Sequence, residues 1–430
     1  MNRPVLVCHG GVGTVTGANF LLEVGGKKYL IDCGLLQGLK EEGSLQSDSF
    51  DYVPASIEAL FVTHAHIDHI GRIPKLIESG FKGVIYSTPE TMEIAQMMLR
   101  DLVRIEGMKA QSLDKAKELW RGIKYHEPKE FDGFKLELFD AGHILGSAMY
   151  KFIFPSGKSM LFTGDLGNSP SPLLRDTDPV SGLTYLLMES VYGDRNHQSV
   201  EAREKEFAEL VQSVVREGRT LIIPIFSLER TQVILFTLHK LFESGELKKI
   251  PVFLDSPLAI RLTELYKKLT GRDIFSFPTL HNTLDMRDSS QIESVRGAKI
   301  IMAGSGMSTA GRILFHEERY LPDPNAVILF VGFQAPGTLG RQIIEGVMQV
   351  EVNGKVIEVK ARVEKIHGFS AHAGSDQLVD FVAHSKETLK RVFVAMGEPK
   401  SSIFLAQRLH DELGVEAVVG EKGKRYELDL

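Results

Sequence analysis

The sequence predicts an α/β protein in which one α/β domain is inserted into another, and three observations lead there. At 430 residues the chain is longer than a single hydrophobic core usually serves. Between about residues 195 and 350, short apolar strands alternate with helices, the rhythm of βαβ crossovers and a parallel sheet. Before and after that stretch the chain reads as hairpins and short strands, as an outer domain split by an insert would. The expected division is 1–194, 195–350 and 351–430, with the first and last parts forming the outer domain.

The elements follow from local pattern. Runs 19–24 and 28–32 flank Gly25-Gly26, a two-residue hairpin signal. Residues 59–63, 135–139, 150–154, 159–163 and 185–188 are further apolar runs of strand length. Thr88 can cap a helix that has Pro89 at its first position. The helical spacing of Ile94, Met97, Met98, Leu102 and Ile105 reads as a packing face rather than a ligand site. In the insert, strands at 220–223, 252–254, 300–302 and 327–330 are interleaved with helices at 229–242, 258–269 and 311–320. Runs 351–352 and 355–359 then flank Asn353-Gly354, another hairpin signal, and strands at 392–395 and 415–419 bracket a helix over 402–413.

Composition narrows the function classes. A 43% hydrophobic and 25% charged chain is that of an ordinary globular protein, which argues against long disorder. No stretch approaches the roughly 18 apolar residues of a membrane span, and the N-terminus lacks a signal-peptide pattern. Cys8 and Cys33 are the only cysteines, so a disulfide framework is excluded and a reducing, cytoplasmic location is expected. With 50 basic and 56 acidic side chains the net charge is −6, which removes any bulk attraction to nucleic acid. A polyanion site must therefore be local. The glycines of the run from His9 to Gly17 do not match a dinucleotide fingerprint, and hairpin strands follow, so the run is read as a turn beside the site.

The strongest chemical signal is Thr63-His64-Ala65-His66-Ile67-Asp68-His69. Four metal-competent side chains crowd directly behind an apolar strand. Residues two apart leave an extended chain on the same side, so His64 and His66 can grip one ion. The turn that follows can swing Asp68 and His69 toward a second. Nitrogen and oxygen donors without thiolate suit zinc, manganese or iron. Asp32, His143 and Asp165 also follow predicted strands. Singly, each Gly-Asp or Gly-His is a turn signal. Together they land at one end of successive strands, where open α/β sheets place their ligands. A carboxylate there can bridge two ions about 3.5–4 Å apart.

These residues resemble the metallo-β-lactamase superfamily: His64-x-His66-x-Asp68-His69, with Asp32, His143 and Asp165. The resemblance extends to its β-CASP branch of nucleic-acid hydrolases. Glu189 matches the acidic residue after the next strand, and His372, in Gly368-Phe369-Ser370-Ala371-His372-Ala373, matches the histidine after the insert. Ser305-Gly306-Met307 and the run from Gly332 to Arg341 match as well, so the likeness spans the chain. It is similar to bacterial and archaeal RNA-processing members that resemble the nuclease subunit of the pre-mRNA 3′-end cleavage factor. The resemblance implies an αββα sandwich with an inserted β-CASP α/β domain, and hydrolysis of single-stranded RNA by metal-activated hydroxide in the groove between the domains. It implies two divalent ions, zinc in the first instance with manganese as an alternative, and a possible homodimer. His64, His66 and His143 would hold one ion, Asp68 and His69 the other, with Asp165 bridging and Asp32 orienting. His372, oriented by Glu189, would protonate the leaving oxygen; His367 is read as structural or pocket-lining.

One position departs from the family pattern. Where a histidine completes the second ion's shell, this chain has Met396 before Gly397-Glu398. A thioether is a poor ligand for such ions, so the second is expected to bind more weakly or to arrive with substrate phosphate. Two further readings therefore stay open: an RNA-binding pseudo-nuclease, and a metallo-hydrolase of small esters or lactams. Arg230, Ser305, Ser308, Arg341 and Ser370 are the candidates for RNA phosphate contact, and Phe226, Tyr192 and Phe369 for stacking on bases.

Overall fold

Hydrophobic alternation in the outer strands resolves into two seven-stranded sheets whose inner faces share one aromatic core. The structure, a computed structural model, describes residues 3–37, 49–366 and 368–430, so His367 lies outside the described residues. Two compact units emerge. One is His197–Ser370, and the other runs up to Asn196 and resumes over Ala371–Leu430. The inserted unit thus extends past the boundary expected at 350, because strand Arg362–Lys365 pairs with Ala326–Phe330.

In the outer unit the first sheet has the order Arg425–Glu427, Val5–Gly10, Asn19–Val24, Lys27–Ile31, Ile57–Phe61, Val84–Ser87, Trp120–Gly122. The second has the order Ala417–Val419, Arg391–Val394, Tyr185–Met188, Ser159–Phe162, Ala148–Ile153, Phe134–Asp140, Lys129–Phe131. Leu22, Tyr29 and Phe61 from the first sheet meet Tyr150, Phe152, Phe162 and Phe393 from the second. Phe61 stands edge-on to Phe152 with centroids 5.4 Å apart, the geometry aromatic quadrupoles favour. Helices Ser375–Ala383 and Pro399–Leu413 cover the outer face of the second sheet with Leu378, Val382, Leu405 and Leu409. The hairpin at Gly25-Gly26 forms as expected, with φ of 57° and 82°.

Helix Pro89–Glu106 starts at Thr88, whose side chain accepts from the Thr91 amide, but its packing face differs from the expected one. Ile94, Ala95, Met98, Leu99 and Val103 are buried, whereas Ile105 is 64% exposed. The buried stripe runs on through Leu99 and Val103 in place of Leu102 and Ile105.

The inserted unit is a six-stranded, all-parallel sheet in the order Leu280–Asn282, Val252–Asp255, Lys299–Ala303, Thr220–Pro224, Ala326–Phe330, Arg362–Lys365. Helix Val200–Glu217, capped by Ser199 and ended by Gly218, was not among the elements predicted from sequence. At the end of strand Val252–Asp255 the Asp255 carboxylate is fully buried and held by Thr283, Ser289, Arg312 and His316 at 2.6–2.7 Å. Burial opposes its ionisation, but these four partners hold it well below the usual carboxylate range.

Glu317 is the opposite case. Its buried carboxyl accepts only from Ser308 among the hydrogen bonds seen, and burial pushes it up to about 8. The folded protein then keeps a proton that the unfolded chain releases near pH 4.5, so stability falls as pH rises from there to about 8. Glu317→Gln, which keeps the acceptor and removes the charge, should raise stability at pH 8 by a few kcal/mol at ~1.4 kcal/mol per pH unit, and little at pH 4. Chemical denaturation at the two pH values measures it; equal effects at both would contradict a protonated Glu317.

Candidate metal centre and active site

Every predicted metal-competent residue of the outer unit lies at or just beyond a strand end. Asp32 follows Lys27–Ile31, the 64–69 loop follows Ile57–Phe61, His143 follows Phe134–Asp140, Asp165 follows Ser159–Phe162, and Glu189 follows Tyr185–Met188. The loop is held by backbone hydrogen bonds from Ala18 to Asp68, Cys33 to His69 and Leu35 to Ile67, at 2.8–3.0 Å. Gly34 permits this approach, since a Cβ there would lie 1.5 Å from the Asp68 carbonyl oxygen. Gly164, at φ +56°, likewise lets the Asp165 turn lie against Thr63.

Four donors converge. One ligand atom each from His64, His66, His143 and Asp165 lies within 4.8 Å of the others. His66 Nδ1 is 3.1 Å from His64 Nε2 and 3.2 Å from His143 Nε2. Asp165 Oδ2 stands 3.5 Å from His64 Nε2, 3.6 Å from His143 Nε2 and 3.4 Å from His69 Nε2. Burial pushes the His64 and His143 rings well below their ordinary pKa, so both are neutral with lone pairs available. Burial opposes ionisation of Asp165, but His69, His64 and His372 around it hold its carboxyl well below the usual carboxylate range.

Asp32 does not point into this cluster. Its carboxylate accepts from the Thr63 amide and hydroxyl, each at 2.8 Å, and from His69 Nδ1 at 2.7 Å. That contact presents His69 Nε2 toward Asp165. Thr63, to which the sequence reading assigned no role, is the hub of this bracing; its place directly before His64 is the one signal that could have found it. His69 Nε2 and Asp165 Oδ1 are buried with no hydrogen-bond partner among the described residues. Orphaned atoms beside three further imidazoles fit a divalent cation, which would supply the missing partner.

Beside Asp165, His372 is about 18% exposed, its ring centroid 4.5 Å from that of His143. Its Nδ1 lies 3.2 and 3.3 Å from the two oxygens of the fully buried Glu189, which also accepts from the Leu166 amide at 2.7 Å. Burial pushes the Glu189 carboxyl up, and His372 offsets part of that.

Family profiles match three stretches of this chain. The Beta-Casp domain profile matches residues 231–343, the profile of the Zn-dependent metallo-hydrolase RNA specificity domain matches 356–419, and that of the anti-Pycsar protein Apyc1 matches 12–217. Ribonuclease TTHA0252 of Thermus thermophilus is 32% identical over 420 residues, covering 94% of this chain and 95% of that one. The chain belongs to the β-CASP branch of the metallo-β-lactamase superfamily. Transcription termination factor FttA of Pyrococcus horikoshii is 29% identical over 446 residues, covering 94% of this chain and 68% of its own. RNase aCSPSF2 of Saccharolobus solfataricus is 29% identical over 388 residues, covering 87% and 76%. A crystal structure of a protein of unknown function from Enterococcus faecalis V583 shares the fold at a TM-score of 0.61 and 13% identity, covering 99% of this chain and 100% of that one.

This β-CASP protein is a metal-dependent hydrolase, and its cluster of histidines and aspartate suits a divalent ion. No helix among its described residues is long and apolar enough to cross a membrane. The β-CASP unit places the expected phosphate contacts unevenly. Arg230 opens helix Arg230–Glu243, its guanidinium 4.9 Å from the Phe226 ring and packed so closely on Gly332 that a Cβ there would meet it at 1.3 Å. Ser305 accepts from the Thr309 amide at 2.9 Å within its own loop, and Arg341 pairs with Glu345 at 2.6 Å. Ser308 is a correction: it is buried, and its hydroxyl donates to Glu317 instead of facing solvent. Phe369 is another, packed inside against Phe207 at 5.6 Å, and neighbouring Ser370 is buried. Tyr192 is also buried, its ring 6.3 Å from that of His372.

Proposed function

We propose that this protein is a ribonuclease that hydrolyses phosphodiester bonds of single-stranded RNA at the His64–His66–His143–Asp165 centre. The observation that carries the reading is the juxtaposition of that four-donor set with the His372–Glu189 pair beside Asp165 and His143. The relatives named as ribonucleases support RNA as the substrate.

A divalent ion bound there would supply Lewis acidity toward the phosphoryl group and ionise a water at neutral pH. Zinc fits three imidazoles and one carboxylate. A second ion would draw on Asp68, His69 and the shared Asp165. The rest is done by this chain's own groups. Asp32 holds the His69 ring through Nδ1, fixing the direction of Nε2. Glu189 holds His372 through Nδ1, and His372 would deliver a proton to the departing oxygen. We also place the protein in the cytoplasm, where the buried thiols of Cys8 and Cys33 stay reduced. Sedimentation at micromolar concentration tests the homodimer expected from the resemblance.

The deciding experiment is cleavage of end-labelled single-stranded RNA, with matched DNA in parallel. Cleavage should disappear on chelation and return with zinc or manganese, and the product ladder separates trimming from internal cutting. No cleavage of RNA with any divalent ion would overturn the reading.

A further inference from the structure

We infer that this chain builds only three-quarters of its second metal position, and that the phosphate of the substrate completes it. The inference rests on the ribonuclease reading and says how the same site assembles.

A second position is implied by atoms the four-donor set leaves over. His69 Nε2 and Asp165 Oδ1 are buried without hydrogen-bond partners among the described residues. Asp68 Oδ2 lies 3.9 Å from that His69 nitrogen. Asp68 and His69 nonetheless form no closed group with Asp165, whereas His64, His66, His143 and Asp165 do. One imidazole and two carboxylates, one of them shared, make three protein donors. Tetrahedral zinc needs four and octahedral manganese six.

The next strand end, after Arg391–Val394, does not supply the fourth. Met396 sits there with φ +45°, its amide donating to the Gly11 carbonyl at 2.6 Å and its carbonyl accepting from Ser190 at 3.2 Å. Its side chain is 98% buried in the aromatic core, and Sδ lies so close to Gly11 that a Cβ on that glycine would meet it at 2.5 Å. A thioether is a soft, weak donor, and this one is packed against backbone and Phe20.

Among the described residues no fourth donor closes on this position, and charge selects the ligand that takes its place. Two divalent ions bring four positive charges, against which the donors themselves set only the carboxylates of Asp68 and Asp165. The excess favours an anion with hard oxygen donors, which a phosphodiester provides. Binding of the second ion and of phosphate are then linked, each tightening the other by the same factor.

The test counts ions and needs no turnover. Metal-stripped protein is dialysed against manganese with and without saturating inorganic phosphate, and bound manganese is measured by elemental analysis, with the spin-coupled signal of a manganese pair as a second readout. The native chain should hold one ion without phosphate and two with it, phosphate raising the second affinity by about tenfold or more. Met396→His should hold two in either buffer. Asp68→Ala, which alters a partly exposed carboxylate, should hold one in either buffer and serves if the histidine variant fails to fold. Two ions in the native chain without phosphate, or one under both conditions, would overturn the inference and leave a metal-dependent ribonuclease standing. No bound ion under any condition would overturn the ribonuclease reading itself.

Discussion

Asp165→Ala should abolish turnover and strip the centre of most of its metal. Its Oδ2 alone stands 3.4–3.6 Å from ring nitrogens of His64, His69 and His143. Removing it takes the only carboxylate from the four-donor set and the shared one from the second. It also leaves fully buried imidazoles around a void, with His69 stripped of one of the two carboxylates that hold its pKa up. We expect cleavage to fall by at least ~10³-fold, the scale on which loss of the central electrostatic element of a hydrolytic site is felt. Bound metal per chain should fall well below that of the native protein. Asp165→Asn makes the control, since the amide keeps the size and one acceptor oxygen. Native turnover or native metal content in Asp165→Ala would defeat the assignment of this centre.

His372→Ala has the second-largest expected effect, and a different signature. Its ring lies outside the four-donor set, and its Nδ1 is held by Glu189. Cleavage should fall by about 10²–10⁴-fold, the usual contribution of a general acid, while bound metal stays at the native level. RNA with a better leaving group at the scissile bond should recover part of the lost rate, because that group needs less protonation. The alternative is geometrically real, since Asp165, Glu189 and His372 also lie within 4.8 Å of one another. If the variant loses metal along with activity, His372 is a ligand and the proton donor must be sought elsewhere. Glu189→Gln should act in the same direction as His372→Ala and more mildly, because the amide still accepts from Leu166 while no longer placing a carboxylate beside His372 Nδ1.

Much of this was legible in the residues themselves. Four donors in six positions behind an apolar strand announce a metal loop whatever surrounds them, and the hairpins at Gly25-Gly26 and Asn353-Gly354 form where their turn chemistry places them. What stayed hidden depended on distant partners. Arg362–Lys365 is a short, half-polar edge strand, and nothing local marks it as the sixth strand of the β-CASP sheet. Ser308 reads as a loop hydroxyl near a glycine turn, yet the structure buries it against Glu317 nine residues on. Phe369 lies beside the exposed-looking His372 motif and still faces Phe207.

The sequence by itself determined the inventory of chemistry and the end of each strand at which it sits, because donor type, strand length and turn residues are properties of short segments. Tertiary structure decided which atoms meet: Asp32 bracing His69, Asp165 facing three rings at once, Glu189 behind His372, and Met396 turned toward Gly11. Those relations join residues from 22 positions apart (Asp165 and His143) to 385 apart (Met396 and Gly11), and they exist only once two sheets have packed on a common core.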